Sequence, residues 1–319
     1  MQSILIVGAG FAGSQLAKKL LDNGNRVGVI DFIAPYQNDR TWAIQENPNF
    51  KYNWKALQDL APQDIEGYDI VIHLAAQADV PMGFRSPKWT VEQNVMGTVC
   101  LLEACKQIKL DRLIYAGSGN EWGRGLYFPI DENHPLTPHN PYAFSKAAAE
   151  LAMWSYHRCY DIPIVIMSNG CVIGPGMRRE IFVFKWLYNI LSGRPVVLEG
   201  GDQTRDITYS EDVIQAWLLA IAADRDAVVG QKFQVSFGKE LSVESILRTC
   251  FDICGREVPI IRQPHRPGEA GQRECFDNEK AKSILGYTPR FSPEEAIRKT
   301  KDWILTEFSE EFPSGSYSK

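Results

Sequence analysis

Up to about residue 170, short β-branched apolar runs alternate with longer stretches of helical period. The runs Ile4–Val7, Arg26–Ile30, Asp69–Leu74, Arg112–Ala116 and Pro163–Met167 have the length and composition of buried strands. Between the first two, Gly10–Leu21 sets Ala12, Leu16 and Leu20 on one stripe with Ala17 and Leu21 beside it, and Gly24 ends the segment. A helix over Asn94–Cys105 leads into the fourth run. A longer one, capped by Asn140 with Pro141 at its first position, leads into the fifth. This alternation predicts a parallel sheet covered by helices. Beyond it the pattern loosens: residues 171–204 are rich in Gly, Pro and Arg, a strand-like Lys232–Ser236 returns, and 238–319 mixes helices with turns such as Arg266-Pro267-Gly268. The expectation is an α/β chain with a doubly wound parallel sheet over 1–170, rejoined by 205–237, and a smaller mixed α/β lobe from 171–204 and 238–319. No internal repeat interrupts this order, and Pro313-Ser314-Gly315-Ser316 reads as a disordered end.

Composition narrows the partners. A chain of 319 residues buries a sizeable core without staples. With 34 Lys+Arg against 39 Asp+Glu, the net charge of −5 argues against a dedicated nucleic-acid binder. No apolar run approaches the roughly 20 residues of a membrane span. The start Met1-Gln2-Ser3 runs straight into a strand with no basic leader, so the expected address is cytoplasmic. The seven cysteines (100, 105, 159, 171, 250, 254, 275) are odd in number, form no CxxC pair and read as reduced core residues. Cys250 and Cys254 lie one helical turn apart with no histidines beside them, and no metal site is expected.

Candidate chemistry begins at Gly8-Ala9-Gly10-Phe11-Ala12-Gly13, which follows a strand and opens a helix. Gly8 makes the tight turn, Gly10 lets the backbone approach a pyrophosphate, and Gly13 lets the helix pack closely on the sheet; free N–H groups and the helix dipole then favour the anion. Glycine turns at such junctions also arise from packing alone, but Asp31 ends the second run, 23 residues after Gly8, where a carboxylate accepts ribose hydroxyls. No Arg or Lys lies between Phe32 and Asp39 to receive a 2′-phosphate, so the sequence predicts a Rossmann-type fold binding NAD in preference to NADP.

Tyr142 and Lys146 stand at i and i+4, on one face of the long helix. A phenol titrates near 10, and a neighbouring ammonium draws that value down toward the range of a useful base. Taken alone the spacing fits an exposed helix face better. Ser118, however, falls just past the fourth strand in Ala116-Gly117-Ser118-Gly119-Asn120-Glu121-Trp122-Gly123, at the sheet edge where open α/β folds place ligands. With His73-Leu74-Ala75-Ala76, Asn94-Val95-Met96-Gly97-Thr98, Arg205-Asp206-Ile207-Thr208-Tyr209 and Arg266-Pro267-Gly268-Glu269, the chain resembles the extended short-chain dehydrogenase/reductase family, in its nucleotide-sugar epimerase/dehydratase branch.

The resemblance implies catalytic Ser118, Tyr142 and Lys146. It implies an NAD site from Gly8, Gly10, Phe11, Ala12, Gly13, Asp31, Leu74, Ala75, Ala76, Asn94, Tyr142 and Lys146. For a nucleotide-diphosphate sugar it implies Ser118, Gly119, Asn120, Cys171, Arg205, Arg266 and Glu269; Arg178, beside Arg179 in a Gly/Pro loop, is a further candidate for phosphate or carboxylate, and Asp206 reads as part of an interlobe salt bridge. It also implies a homodimer formed through Asn94–Ile108 and Tyr142–Tyr160. Dehydratases of the family carry an acidic pair after the Ser/Thr, and decarboxylases a Glu where Asn120 stands. Gly119 and Asn120 therefore favour a 4-epimerase passing through a 4-keto sugar, with Glu121, one position late, leaving open a dehydratase, a decarboxylase or another sugar-nucleotide oxidoreductase. A non-catalytic NAD-binding protein is the reading from another class. Cys171 and Ser168 depart from the family's Asn and Arg and bear on which sugar is bound.

Overall fold

The computed structural model describes residues 1–312; the Pro313–Ser316 segment lies outside the described residues. Six strands, β1 (Ser3–Val7), β2 (Arg26–Asp31), β3 (Phe50–Trp54), β4 (Ile70–His73), β5 (Arg112–Ser118) and β6 (Ile164–Asn169), form one parallel sheet. The lobe strands β7 (Cys171–Ile173), β8 (Val196–Glu199) and β9 (Thr204–Tyr209) follow, and then β10 (Gln231–Val235) returns to pair with β6. The resulting order is β10-β6-β5-β4-β1-β2-β3. β11 (Glu240–Ser242) joins β9 and β7 in a second sheet, and β12 (Ile260–Gln263) pairs with β8. The fold is the doubly wound parallel sheet with smaller mixed sheets that the hydrophobic pattern predicts.

Both faces of the large sheet are covered, which is why its strands read as continuous apolar runs. Ile4, Ile6, Val29 and Ile72 pack with helices Phe11–Asp22 and Ser210–Ala222, while Leu5, Val7, Val71 and Tyr115 pack with Gly97–Cys105 and Pro141–Tyr160. Ala281, Leu285 and Tyr287, from the C-terminal third, also join the first of these cores. The lobe has its own core around Trp186, Leu187, Leu198, Leu247 and Ile297.

β3 escaped the sequence reading because Phe50-Lys51-Tyr52-Asn53-Trp54 alternates aromatic and polar residues instead of forming a β-branched run, as suits an edge strand with a wet face. The cysteines depart from expectation in part. All seven are free thiols; Cys105 and Cys250 are fully buried, Cys100, Cys171, Cys254 and Cys275 are partly buried, and Cys159 is exposed.

Candidate active site

β1 lies where the strand order reverses, between β2 and β4, so a crevice opens beyond the carboxyl ends of these strands. Gly8 turns there with φ of +101°, and a side chain on it would collide with the Ala75 backbone. A side chain on Gly13 would strike the Gly8 carbonyl, the close helix packing the sequence predicts. Gly10 differs: a Cβ there meets nothing within 4 Å, and the helix Phe11–Asp22 that it opens has no side-chain cap. The cradle thus suits a pyrophosphate seated on free amides. Gly8, Gly10, Phe11, Asp31, Leu74, Ala75 and Ala76 line a cavity of about 340 Å³. Ala12 packs into the core beneath it.

Asp31 closes one end of this cavity. Its Oδ2 accepts the Ala9 N–H at 2.7 Å and its Oδ1 the Ile33 N–H at 2.9 Å, so the carboxylate is fixed before any ribose arrives. The basic groups near it come from beyond the 32–39 window: Arg40 and Lys55 line the cavity, and Lys55 is held by Asp64 at 2.7 Å. Asp31→Ala is expected to weaken NAD binding about 10- to 100-fold, the loss of charge-assisted hydrogen bonds worth ~1.5–3 kcal/mol. Calorimetric titration with NAD measures this. Asn94 serves differently from expectation. It is buried on a π-helical turn, its amide bonded to Gln77 N at 2.7 Å, Gln77 O at 2.9 Å and Ser145 Oγ at 2.8 Å, while its neighbour Gln93 lines the cavity. It shapes the wall without forming it.

Ser118 ends β5, and Tyr142 and Lys146 stand on the first turns of the helix Pro141–Tyr160, whose start is fixed by Asn140 accepting the Ala143 N–H at 2.8 Å. Tyr142 Oη lies 3.5 Å from Ser118 Oγ. Lys146 Nζ donates to the Ala116 carbonyl at 2.6 Å and sits 4.1 Å above the Tyr115 ring. Burial pulls the ammonium down to about 8, against the pull of Glu121 and Glu150. Burial also holds the Tyr142 phenol above its ordinary value; the Ser118 hydroxyl and Arg178 oppose this and Glu121 adds to it. The expected lowering by Lys146 is not the governing influence, because that ammonium is turned toward Ala116 and Tyr115.

A second cavity, of about 440 Å³, is lined by Asn120, Cys171, Arg178, Arg205, Arg266 and Glu269. Arg178 lines both cavities, with Nη2 donating to the Ala78 carbonyl at 2.7 Å. Glu269 bridges the other two arginines: Oε1 is 3.1 Å from Arg205 Nη2 and 2.8 Å from Arg266 Nη2. Gly119 stays behind the wall, where a Cβ would meet Phe276. Burial pushes the Cys171 thiol up to about 12, so it is neutral.

One expectation is corrected among the described residues. Asp206 forms no interlobe salt bridge: fully buried, it accepts the Phe237 and Gly238 N–H groups at 3.2 and 3.0 Å, and burial with Glu274 pushes it up to about 8. The salt bridges are those of Arg205, to Glu269 and to Glu274 at 3.4 Å. Glu121 does not line the second cavity; its Oε1 accepts the Ser118 N–H at 2.9 Å and the side chain is fully buried. The sequence reading missed Asp79, Phe182, Lys185, Trp186 and Glu199 in the second cavity. Phe182 and Trp186 lie on a helix, Phe182–Leu191, within a stretch read only as rich in Gly, Pro and Arg; the signal for Glu199 was the Gly200-Gly201 turn beside it.

The sequence profile of the NAD dependent epimerase/dehydratase family matches residues 4–236. A UDP-glucose 4-epimerase of Mycolicibacterium smegmatis is 28% identical over 317 residues, 95% of this chain and 98% of the relative. A dTDP-glucose 4,6-dehydratase of Streptomyces niveus is 27% identical over 314 residues, 95% of this chain and 92% of the relative. Among solved structures, the UDP-glucuronic acid 4-epimerase of Bacillus cereus, in complex with UDP-glucuronic acid and NAD, superimposes with a TM-score of 0.90 at 29% identity, covering 95% of this chain and 99% of that one.

Proposed function

This chain belongs to the NAD dependent epimerase/dehydratase family, and from that premise we propose that it is a 4-epimerase of nucleotide-diphosphate hexoses. What carries the choice within the family is Glu121. Elimination across C5 and C6 needs an acid/base beside the Ser118–Tyr142 pair, and the one carboxylate the sequence supplies there is withdrawn into the interior to hold the Ser118 N–H. Among the charged groups acting on the Tyr142 phenol, the only one lining the substrate cavity is a cation, Arg178.

In this reading Tyr142 Oη takes the proton of the C4 hydroxyl and later returns one, while Ser118 Oγ hydrogen-bonds the same oxygen. Bound NAD supplies the hydride acceptor and donor. Lys146, its ammonium turned to the Ala116 carbonyl, is the cation that would meet the nicotinamide ribose of NAD. Arg205 and Arg266, drawn together by Glu269, grip the diphosphate and leave the hexose to present its other face. The Gly10 cradle and Asp31 are the groups that would hold NAD.

The test is incubation of the protein with UDP-, GDP-, CDP- and dTDP-hexoses and analysis by NMR. An epimeric product with no net change in nicotinamide absorbance is expected. A stable 4-keto-6-deoxy product or released CO2 overturns the epimerase reading in favour of a dehydratase or a decarboxylase. The proposal includes a homodimer: Phe144, Leu151 and Tyr160 on the helix Pro141–Tyr160, with Met96 on the neighbouring helix, leave large apolar groups exposed. Light scattering at micromolar concentration is expected to give twice the chain mass.

A further inference from the structure

Three charged side chains that line neither cavity meet behind the Ser118 turn. Lys232, on β10 at the edge of the large sheet, places Nζ 2.7 Å from Glu150 Oε2 and 3.5 Å from Glu121 Oε2, and 4.3 Å above the Trp122 ring. Glu150 stands one helical turn past Lys146. All three are at least 94% buried. Buried ion clusters are weak sources of stability, and apolar side chains of the same volume often fill such space at no loss. The contacts of this one lead to the reacting groups instead. Glu121 Oε1 closes the turn through the Ser118 N–H at 2.9 Å, and that turn aims Ser118 Oγ at Tyr142.

We propose that Glu121, Glu150 and Lys232 are positioning residues, clamping the Ser118 turn to the helix Pro141–Tyr160 and keeping negative charge beside Lys146 so that its ammonium persists. This rests on the catalytic roles given above to Ser118, Tyr142 and Lys146. The titratable and charged groups around Lys146 are His73 from β4, Tyr115 from β5, Glu121 from the turn, Tyr142 and Glu150 from its own helix, Lys232 from β10, and Arg178 facing the phenol. Only the two glutamates supply a stabilising anion. Burial and Glu150 push the Glu121 carboxyl up; Glu150, although burial raises it, is drawn down by Lys232 and by its hydrogen bond with Glu121. Of the two, Glu150 is the one favoured as an anion, drawn down by Lys232 at 2.7 Å. Burial drives His73 down to about 3, so it stays neutral and adds no competing charge.

The experiment is the triple variant Glu121→Gln/Glu150→Gln/Lys232→Met, which removes every charge of the cluster and, at a pH above about 8 where Lys146 is neutral, leaves none unpaired. Its melting midpoint at that pH is expected to be no lower than that of the wild type. The alkaline limb of kcat/KM, which reports loss of the Lys146 proton, is expected to move to lower pH by about one unit. At neutral pH kcat falls about tenfold with KM for the nucleotide sugar within about threefold, as expected when a positioned group is loosened. An unchanged profile and kcat overturns the proposal, and so does a lowered melting midpoint with an unmoved profile, which marks a structural cluster. If the triple variant does not fold, Glu150→Gln/Lys232→Met, which retains the Glu121 contact to Ser118, is read by the same criteria. Tyr142→Phe run alongside separates the two levels: surviving turnover in that variant removes the catalytic reading itself, whereas its loss beside a wild-type-like triple variant removes only the cluster's role.

Discussion

Tyr142→Phe is expected to lower turnover of the nucleotide sugar by roughly 10²–10⁴-fold, the usual contribution of a positioned acid/base. Dissociation constants for NAD and for the sugar nucleotide should stay within about threefold, because the aromatic ring and its packing are retained. Fold stability should hardly change, since the one hydrogen bond lost, to Ser118 Oγ, is already long at 3.5 Å. The pH dependence carries the more specific expectation. Burial holds the phenol above its ordinary value, and Arg178 and the Ser118 hydroxyl draw it back only in part. In the free protein it therefore keeps its proton at neutral pH, and it can accept one only when positive charge is brought beside it. With NAD bound, its positive ring would supply that charge, so the acid limb of kcat/KM for the sugar nucleotide at saturating NAD reports this group: the rate falls as pH falls through the phenol's lowered pKa. That limb should vanish in Tyr142→Phe. A variant that keeps both the rate and the acid limb removes Tyr142 from the acid/base role.

The same group shows where sequence reasoning stops. That Ser118, Tyr142 and Lys146 share one region follows from topology, because the end of a central strand and the start of the next helix meet at the carboxyl edge of a parallel sheet. The glycines at 8 and 13 were legible for the same reason, since local backbone geometry demands them. Strands of β-branched residues buried on both faces were found, and edge strand β3, with its aromatic–polar alternation, was not. Direction of charge was the harder matter. Lys146 was expected to act on the phenol, but its Nζ is 2.6 Å from the Ala116 carbonyl, a contact set by how the helix lies on β5. Lys232 comes from a strand 111 residues beyond Glu121, and no spacing rule connects them. Glu121 looked like a displaced catalytic acid because sequence gives its distance from Ser118 along the chain and not the sense of the turn between them. The sense of that turn decides whether a carboxylate faces substrate or its own backbone.

Arg205→Ala carries the largest expected cost in stability, and it separates two roles of one side chain. The guanidinium is buried, with Nη2 3.1 Å from Glu269, Nε 3.4 Å from Glu274 and Nη1 donating to the Thr204 carbonyl at 2.7 Å. Glu269 keeps a second cation in Arg266. Among the described residues Glu274 has no other, and burial already raises its carboxyl even with Arg205 beside it. Removing Arg205 leaves that carboxylate buried and uncompensated, a loss of about 3–5 kcal/mol, or roughly 10 °C in melting midpoint. The pH dependence has a definite sign. With its pKa raised further in the folded variant, Glu274 stays protonated there while the unfolded chain ionises above the ordinary carboxylate range, so the penalty grows as pH rises from the acid side toward neutrality and is smallest in acid. Thermal melts of variant and wild type across that interval measure it. Adding Glu274→Gln to Arg205→Ala should recover much of the stability, since no buried anion is left unpaired. It should not recover affinity for the nucleotide sugar, because the cation proposed to meet the diphosphate is still missing. A double variant that regains both stability and wild-type affinity assigns Arg205 to the scaffold and leaves Arg266 and Arg178 as the cations that hold the substrate.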